Sequence, residues 1–172
     1  MQQVENLENH ASHHRPSKVL VENSAPLFKT REFPPNVDIQ LGINRLSYGM
    51  AICLLAKKGK GRPLKIPFYI HPGDSTKLQW LIPHKHPRLT QLNLLSVTSV
   101  SDSPSFPLPK KLSHRSSLLL TIFYGAKQEL VLFFDKIEEK TEWWAGLQYF
   151  IQRAHNEKKL QSYLSFFSYS AV

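Results

Sequence analysis

The most chemically suggestive residues of this chain are cations in a short stretch that also contains glycine. Five lysine and arginine side chains fall within nine consecutive positions, with two glycines between them. The cations can donate charge-assisted hydrogen bonds to phosphate oxygens, and the glycines let backbone N–H groups approach the same anion. The stretch therefore predicts a binding site for a multiply charged anion, made by Lys57, Lys58, Lys60, Arg62 and Lys65.

The overall composition agrees with an anionic partner and gives little support to catalysis. The 172 residues carry a formal net charge of +9, which favours a phospholipid surface, a nucleic acid or an acidic protein face as partner. The eight histidines and thirteen acids form no nucleophile elbow, zinc-protease motif or phosphate-binding loop, so we predict that the chain is not an enzyme and needs no cofactor. The cations are not interleaved with exposed aromatics as in nucleic-acid modules, so no nucleic-acid partner is predicted.

Metal binding and membrane spanning are also not expected. His10, His13 and His14 could approach a transition metal, but we interpret them as part of a solvated tail without a metal site. Cys53 is the only cysteine, which excludes an intrachain disulfide and fits a reducing compartment. No signal peptide is visible, and no stretch approaches the ~20 apolar residues that span a bilayer. We therefore expect a cytoplasmic protein that associates with membranes only peripherally.

Short apolar runs and one amphipathic helix must position the cationic stretch. The helix is predicted over residues 138–154, where Trp143, Leu147, Phe150 and Ala154 recur at helical spacing. Apolar runs bounded by turn residues predict strands at 49–57, 64–71, 77–82, 89–100, 117–125 and 128–136. The cationic stretch then includes the turn between the first two strands, and the fold class is mainly β with one C-terminal α-helix.

The two ends of the chain differ from this central part. Residues 1–44 lack sustained periodicity and predict a disordered or loosely docked leader, followed by a domain over residues 45–154. Residues 155–172 predict a short tail with a second helix from Lys158 to Phe167. Within the domain, the proline- and serine-rich residues 101–116 predict a long surface loop.

The tail is rich in aromatic residues. They could form a patch for a protein partner, or they could pack on the β body or be disordered, and packing or disorder is favoured because large exposed aromatic clusters are uncommon. The residues are Tyr163, Phe166, Phe167 and Tyr169.

Several motifs carry a resemblance to a known family. Trp143, Gly146 and Leu147 form a W-x-x-G-L motif on the predicted helix, and Trp80 ends an L-x-W motif in the third strand. The other matching pieces are 92–100, 120–125 and 129–132. In this order and spacing they resemble a pleckstrin homology (PH) domain, specifically the type found at the N-terminus of phosphoinositide-specific phospholipases C.

The resemblance implies a seven-stranded, strongly bent sheet that forms a partly open barrel capped by the C-terminal helix. It gives structural roles to Trp80, Trp143, Gly146 and Leu147, with Trp143 inserted into the barrel end. Trp144 is expected beside it and half exposed.

The resemblance also implies a function, namely binding of phosphoinositide-containing membrane through the first hairpin. Lys77, Lys85 and Arg88 are then expected as outer contacts. Two positions differ from strong lipid binders, because Leu55 precedes Lys57 by two residues and Pro67, which has no N–H, precedes the aromatic pair of the second strand.

Two alternatives therefore stay open. The chain could be a PH-fold adaptor for protein partners with a degraded lipid pocket. It could also be an N-terminal fragment or short isoform of a larger phospholipase C-like enzyme, whose catalytic residues would lie beyond Val172.

Overall fold

The computed structural model describes residues 32–55, 63–83, 87–108 and 110–169. They form one seven-stranded antiparallel sheet with the strand order β4-β3-β2-β1-β7-β6-β5. The strands are β1 Met50–Leu55, β2 Leu64–His71, β3 Asp74–Ile82, β4 Arg88–Asn93, β5 Val97–Ser101, β6 Leu119–Tyr124 and β7 Gln128–Phe133. The helices are α1 Ile39–Tyr48, α2 Lys110–Ser113 and α3 Ile137–Tyr169, with 3-10 turns at Leu94–Ser96 and Ser116–Leu118.

Strand β1 joins the two halves of the sheet. It pairs with β2 through contacts such as Ile52↔Ile66, and with β7 through contacts such as Cys53↔Phe133. Strands β4 and β5 lie at the two edges and do not pair with each other within the described residues, so the sheet is open. The predicted mainly-β class is confirmed, and the seven-stranded sheet with a C-terminal helix is the architecture that the resemblance implied.

The core lies between the inner face of the sheet and the first half of α3. Phe68 and Trp80 face each other across β2 and β3 and stack with their ring centroids 5.0 Å apart. Trp143 is completely buried and meets Phe134 at 5.7 Å. Leu147 and Ile151 continue the same buried stripe of the helix. The helix therefore closes one side of the sheet, and its acidic first turn suits the helix dipole.

Helix α1 crosses α3 at a point where the two backbones touch. A Cβ added to Gly146 would lie 2.8 Å from the Ile43 nitrogen, and one added to Gly42 would lie 2.9 Å from the Gly146 nitrogen. Both distances are shorter than real Cβ contacts, so this crossing requires glycine on both helices. The Arg45 guanidinium donates to the Glu142 carboxylate at 3.0 Å beside the crossing.

This crossing corrects the predicted leader of residues 1–44. Helix α1 begins at Ile39, with the Asp38 side chain accepting from the Leu41 N–H at 2.8 Å as its N-cap, and Leu46 is completely buried. The boundary at residue 45 therefore falls inside a packed helix. The sequence signal was weak because only a narrow stripe of α1 is apolar, and because the contact of α1 with α3 depends on a glycine in each helix. Residues 1–31 lie outside the described residues.

Three further predictions need correction. The segment 89–100 is two strands separated by the Leu94–Ser96 turn, because the Asn93 side chain caps that turn by accepting from the Leu95 N–H. Helix α3 continues to Tyr169 rather than ending at Ala154 and restarting at Lys158. Trp144 is only 6% exposed, because the Phe33 ring covers it edge-on at 5.9 Å.

Residues 101–118 are less irregular than a plain surface loop. They contain the short helix α2 and the 3-10 turn Ser116–Leu118. Apolar side chains of this segment, including Phe106 and Leu112, pack on a small second core made by Leu119, Val131 and Phe133. The segment thus covers the outer face of β6 and β7.

Candidate anion-binding end of the sheet

The strand order places the end of β1 and the start of β2 between the corresponding ends of β3 and β7. Leu54 pairs with Leu64 where β1 ends and β2 begins. On one side β2 pairs with β3, whose last residue, Ile82, pairs with Arg88. On the other side β1 pairs with β7, so the β6–β7 turn of residues 125–127 neighbours the same end of β1. The strand ends that border the connections 56–63, 83–87 and 125–127 thus lie next to one another at one end of the sheet.

Basic residues concentrate in these three connections and at the adjoining first residue of β4, Arg88. Residues 56–63, 83–88 and 125–127 hold seven of the 22 lysine and arginine residues of the chain and no aspartate or glutamate. Clustered charge of one sign raises the local concentration of counter-ions and attracts anionic surfaces. We call these three stretches the cationic end of the sheet.

The structure describes some of the predicted ligand residues and not others. Lys57, Lys58, Lys60, Arg62 and Lys85 lie outside the described residues. Lys65 is exposed on the outer face of β2, and its Nζ lies 3.5 Å from the Asp135 carboxylate. Both side chains of that pair are 62% exposed, so solvent screens the attraction and Lys65 can exchange this partner for another anion.

Arg88 and Lys127 are the described cations that lie closest to the flanking turns. Arg88 is the exposed first residue of β4, and Lys127 is exposed at the end of the turn in which Gly125 has a φ of +58°. Arg88 was predicted as an outer contact, and it pairs with Ile82 at the same end of the sheet as the start of β2. Lys127 was missed, and the Gly125-Ala126-Lys127 hairpin turn in the sequence was the signal that could have found it.

Lys77, the remaining predicted outer contact, lies elsewhere. It pairs with Asn93 on β4, five residues along β3 from Ile82, which is about 17 Å at the usual rise of a strand. Its Nζ lies 2.7 Å from the Asp74 carboxylate. The hydrogen bonds from Lys77 and from the Thr76 hydroxyl lower the pKa of Asp74 to about 2. Lys77 is thus separated from the cationic end and already paired.

Other polar groups of the described residues have structural roles. The buried Lys140 ammonium donates to the Ser117 carbonyl oxygen at 2.6 Å and pairs with Asp102 at 2.5 Å, which ties α3 to the segment before β6. No group of three or more histidine, cysteine or acidic residues within the described ranges could hold a metal ion. No helix among these residues is both long and apolar enough to cross a membrane.

Comparisons with known proteins give similarity at the level of fold. No family model matches the chain, and no curated protein matches its sequence. The inner membrane complex sub-compartment protein 1 of Toxoplasma gondii is similar with a TM-score of 0.55 and 16% identity, over 72% of this chain and 98% of that one. Sub-compartment protein 3 of the same organism is similar with a TM-score of 0.51 and 11% identity, over 72% of this chain and 90% of that one.

A PH domain from PfAPH also matches, with a TM-score of 0.46 and 16% identity over 66% of this chain and 88% of that one. At these sequence identities, a structural match is evidence for the fold alone. The matches do not support the phospholipase C type that the motifs resembled. The strand order, the open sheet and the closing helix give this chain a PH-like fold.

Proposed function

We propose that this chain is a non-catalytic PH-like module that binds anionic, phosphoinositide-containing membrane through the cationic end of its sheet. The proposal is carried by the strand ends that lie side by side at this end of the sheet, because the stretches 56–63, 83–88 and 125–127 that follow them in the sequence hold seven cations and no carboxylate. A basic residue near an anionic leaflet contributes about 1 kcal/mol of attraction, so such a group gives substantial binding without any deep pocket. The protein would then be cytoplasmic and peripherally attached to the membrane.

The ligand residues of this proposal are Lys57, Lys58, Lys60, Arg62 and Lys65, with Lys85, Arg88 and Lys127 around them. Lys65 and Arg88 support it by their exposure, since neither is held in a buried ion pair. Lys77 is left out of the group because of its position and its bond to Asp74.

Vesicle flotation tests this function. We expect the chain to float with phosphatidylcholine vesicles that contain a phosphatidylinositol phosphate, and Lys57→Glu with Lys60→Glu to reduce the bound fraction at least about tenfold. The matched control is Lys110→Glu with Lys136→Glu, which makes the same charge change at exposed positions outside the cationic end. Equal losses in the two variants, or no flotation of the unaltered chain, would contradict the proposal.

A second comparison separates headgroup recognition from charge alone. Vesicles with phosphatidylserine are matched in total charge to vesicles with the phosphatidylinositol phosphate, and the salt concentration is raised stepwise. Headgroup recognition predicts stronger binding to the phosphoinositide vesicles at every salt concentration. Binding that depends only on charge would be equal for the two lipids and would decrease equally for both as the salt concentration rises.

We further propose, on the motif residues alone, that the module is of the phospholipase C type and targets or regulates such a signalling protein. The support is the order and spacing of the L-x-W motif at Trp80 and the W-x-x-G-L motif at Trp143. Sequencing the complete transcript would test this. A downstream catalytic histidine pair and calcium-binding acids would support a fragment or short isoform of an enzyme, and a different downstream domain would contradict the phospholipase C type.

Protein binding is the second candidate function, and one observation favours it. Leu160 and Tyr163 on the second half of α3 are each at least 60% exposed, which is unusual for large apolar side chains close together. A photoreactive amino acid at position 163 would crosslink to a protein partner if this face is an adaptor surface. Crosslinking to a single protein, together with no binding to any anionic vesicle, would favour the adaptor over the membrane module.

A further inference from the structure

A second basic region lies on the other side of the β6–β7 turn from the first hairpin. There the second half of α3 runs past the 3-10 turn Leu94–Ser96 and the start of β5 and leaves a cavity of about 460 Å³. The helix contributes His155, Lys158, Lys159 and Ser162 to this cavity. These positions follow the spacing i, i+3, i+4 and i+7, so they lie on one face of the helix.

The charge in this cavity is not balanced by the protein. No aspartate or glutamate lines it among the residues that the structure describes. Neither Lys158 nor Lys159 forms an ion pair with any carboxylate in the described ranges, while the adjacent Glu157 is held by Arg153 at 2.7 Å and by the Ser75 hydroxyl at 3.1 Å. Glu157 is therefore committed to other partners than the two lysines.

His155 adds an enclosed polar group to the same wall. Its Nε2 atom is shielded from solvent and has no hydrogen-bond partner within the described part of the chain. Burial lowers the pKa of His155, and the charges of Lys158 and Lys159 lower it further. The cavity thus combines a positive potential with a nitrogen that has no hydrogen-bond partner. A bound anion would offset the lysine charges and would accept a hydrogen bond from the His155 nitrogen.

We propose that this cavity binds a phosphate group, as a second anion site that is independent of the first hairpin. Lys158 and Lys159 would supply the charge-assisted hydrogen bonds and His155 a neutral one. Ser96 and Thr98 line the opposite wall, and their hydroxyl groups donate to the carbonyl oxygens of Asn93 and Phe123. A phosphate monoester fits this chemistry, because its several oxygens can accept from more than one cation at once.

The position of the cavity connects it to the cationic end. The Gly125 N–H donates to the Ser96 carbonyl oxygen at 2.9 Å, so one wall of the cavity is bonded directly to the turn that carries Lys127. A surface rich in phosphate groups could therefore meet both sites together. The phosphate could equally belong to a soluble molecule, and the experiment separates these two sources.

The site is tested by nuclear magnetic resonance on the full chain with inositol trisphosphate as the soluble probe. We expect saturable shifts of the amide signals of residues 95–98 and of the His155 imidazole. Lys158→Glu with Lys159→Glu should lower the affinity measured from these shifts about tenfold or more, since each charge-assisted hydrogen bond is stronger than a neutral one. Both lysines are exposed, so the variant keeps its fold, and circular dichroism checks this.

Two control variants make the result specific. Lys110→Glu with Lys136→Glu repeats the charge change outside the cavity and should leave the shifts unchanged. Lys57→Glu with Lys60→Glu removes charge from the first hairpin and should also leave them unchanged, even if it abolishes vesicle binding. No shift at residues 95–98 in the unaltered chain, or equal weakening in all three variants, would overturn the proposal.

Vesicles identify the source of the phosphate. Phosphatidylcholine vesicles with and without a phosphatidylinositol phosphate are floated with the unaltered chain and with the Lys158→Glu, Lys159→Glu variant. Weaker flotation of the variant supports a lipid-borne phosphate at this site. Equal flotation, with the shifts from soluble inositol trisphosphate still lost, supports a site for a free phosphorylated ligand.

Discussion

The two halves of helix α3 have the same secondary structure and opposite environments. In residues 137–154, Trp143, Leu147 and Ile151 are buried completely against the sheet. In residues 155–169, Leu160 and Tyr163 are 60% and 63% exposed. The first half has the inner face of the sheet and α1 to cover it, whereas the second half meets only Ser75 on β3, the 3-10 turn Leu94–Ser96 and the start of β5 among the described residues. Helical periodicity therefore does not by itself decide burial, which depends on what lies opposite each turn.

The largest expected difference between the halves is in stability. Trp143→Ala should lower the free energy of unfolding by about 3–5 kcal/mol, because it leaves a cavity where a completely buried indole packs on Phe134. Tyr149→Ala, on the exposed side of the same half, is the control and should cost clearly less. Urea denaturation measures both, and a cost below about 1 kcal/mol for Trp143→Ala would contradict the core described for α3.

A second substitution tests the contact of α1 with the first half of α3. Gly146→Ala should cost about 1–3 kcal/mol, because its methyl group would meet the Ile43 nitrogen and push α1 away from α3. Alanine normally stabilises a helix interior relative to glycine, so the sign of this change is informative. Gln152→Ala, at an exposed position of α3, should be nearly neutral. A stabilising Gly146→Ala would mean that α1 does not cross there.

Acid conditions should weaken the contacts near the junction of the two halves. The pKa of Asp74 is about 2 in the folded chain and 3.8 as its ordinary value, so Asp74 adds stability above pH 3.8 that is lost as the pH falls toward 2. The carboxylate of Glu157, which bonds the neighbouring Ser75, follows the same direction because Arg153 lowers its pKa.

The stability lost between pH 5 and pH 2 should therefore be smaller in Asp74→Asn than in the unaltered chain. Urea denaturation at several pH values measures this difference. An identical pH dependence in the two proteins would show that Asp74 is not paired with Lys77 in solution.

The smallest expected effect belongs to the second half. Leu160→Ser should change the free energy of unfolding by no more than about 0.5 kcal/mol, because most of this side chain is already in water. Phe150→Ser, one stripe position in the first half, should cost several times more and provides the contrast. A large cost for Leu160→Ser would mean that another part of the chain covers this face.

The sequence predicted the elements whose signal is local. The strand predicted over 64–71, the two strands on either side of the Gly125 turn and the buried stripe from Trp143 to Ala154 all follow from residue types in short segments, and the structure contains each of them. The motif order also predicted the PH-like arrangement correctly. The individual strands and the helix could be predicted because each depends on residues that are close together in the sequence.

The parts that were missed depend on distant contacts. Helix α1 was assigned to the leader because its packing relies on Gly42 meeting Gly146, about a hundred residues away, which no local pattern reveals. Lys77 was expected as an outer contact of the first hairpin because of the resemblance, although the register of β3 places it away from that hairpin and its ammonium pairs with Asp74. Tyr163 was expected to pack or be disordered, and it is instead exposed on an ordered helix.

The amino-acid sequence alone thus determined the fold class and the presence of an unusually basic first hairpin, because apolar periodicity and composition are properties of short segments. Only the tertiary structure decided which cations share a surface. Strand order brings the end of β1 and the start of β2 between Arg88, at the start of β4, and the turn that carries Lys127. The continuation of α3 brings His155, Lys158 and Lys159 to the start of β5. The physical reason is that charges act through space, and the distance between two side chains depends on register and packing rather than on their separation along the chain.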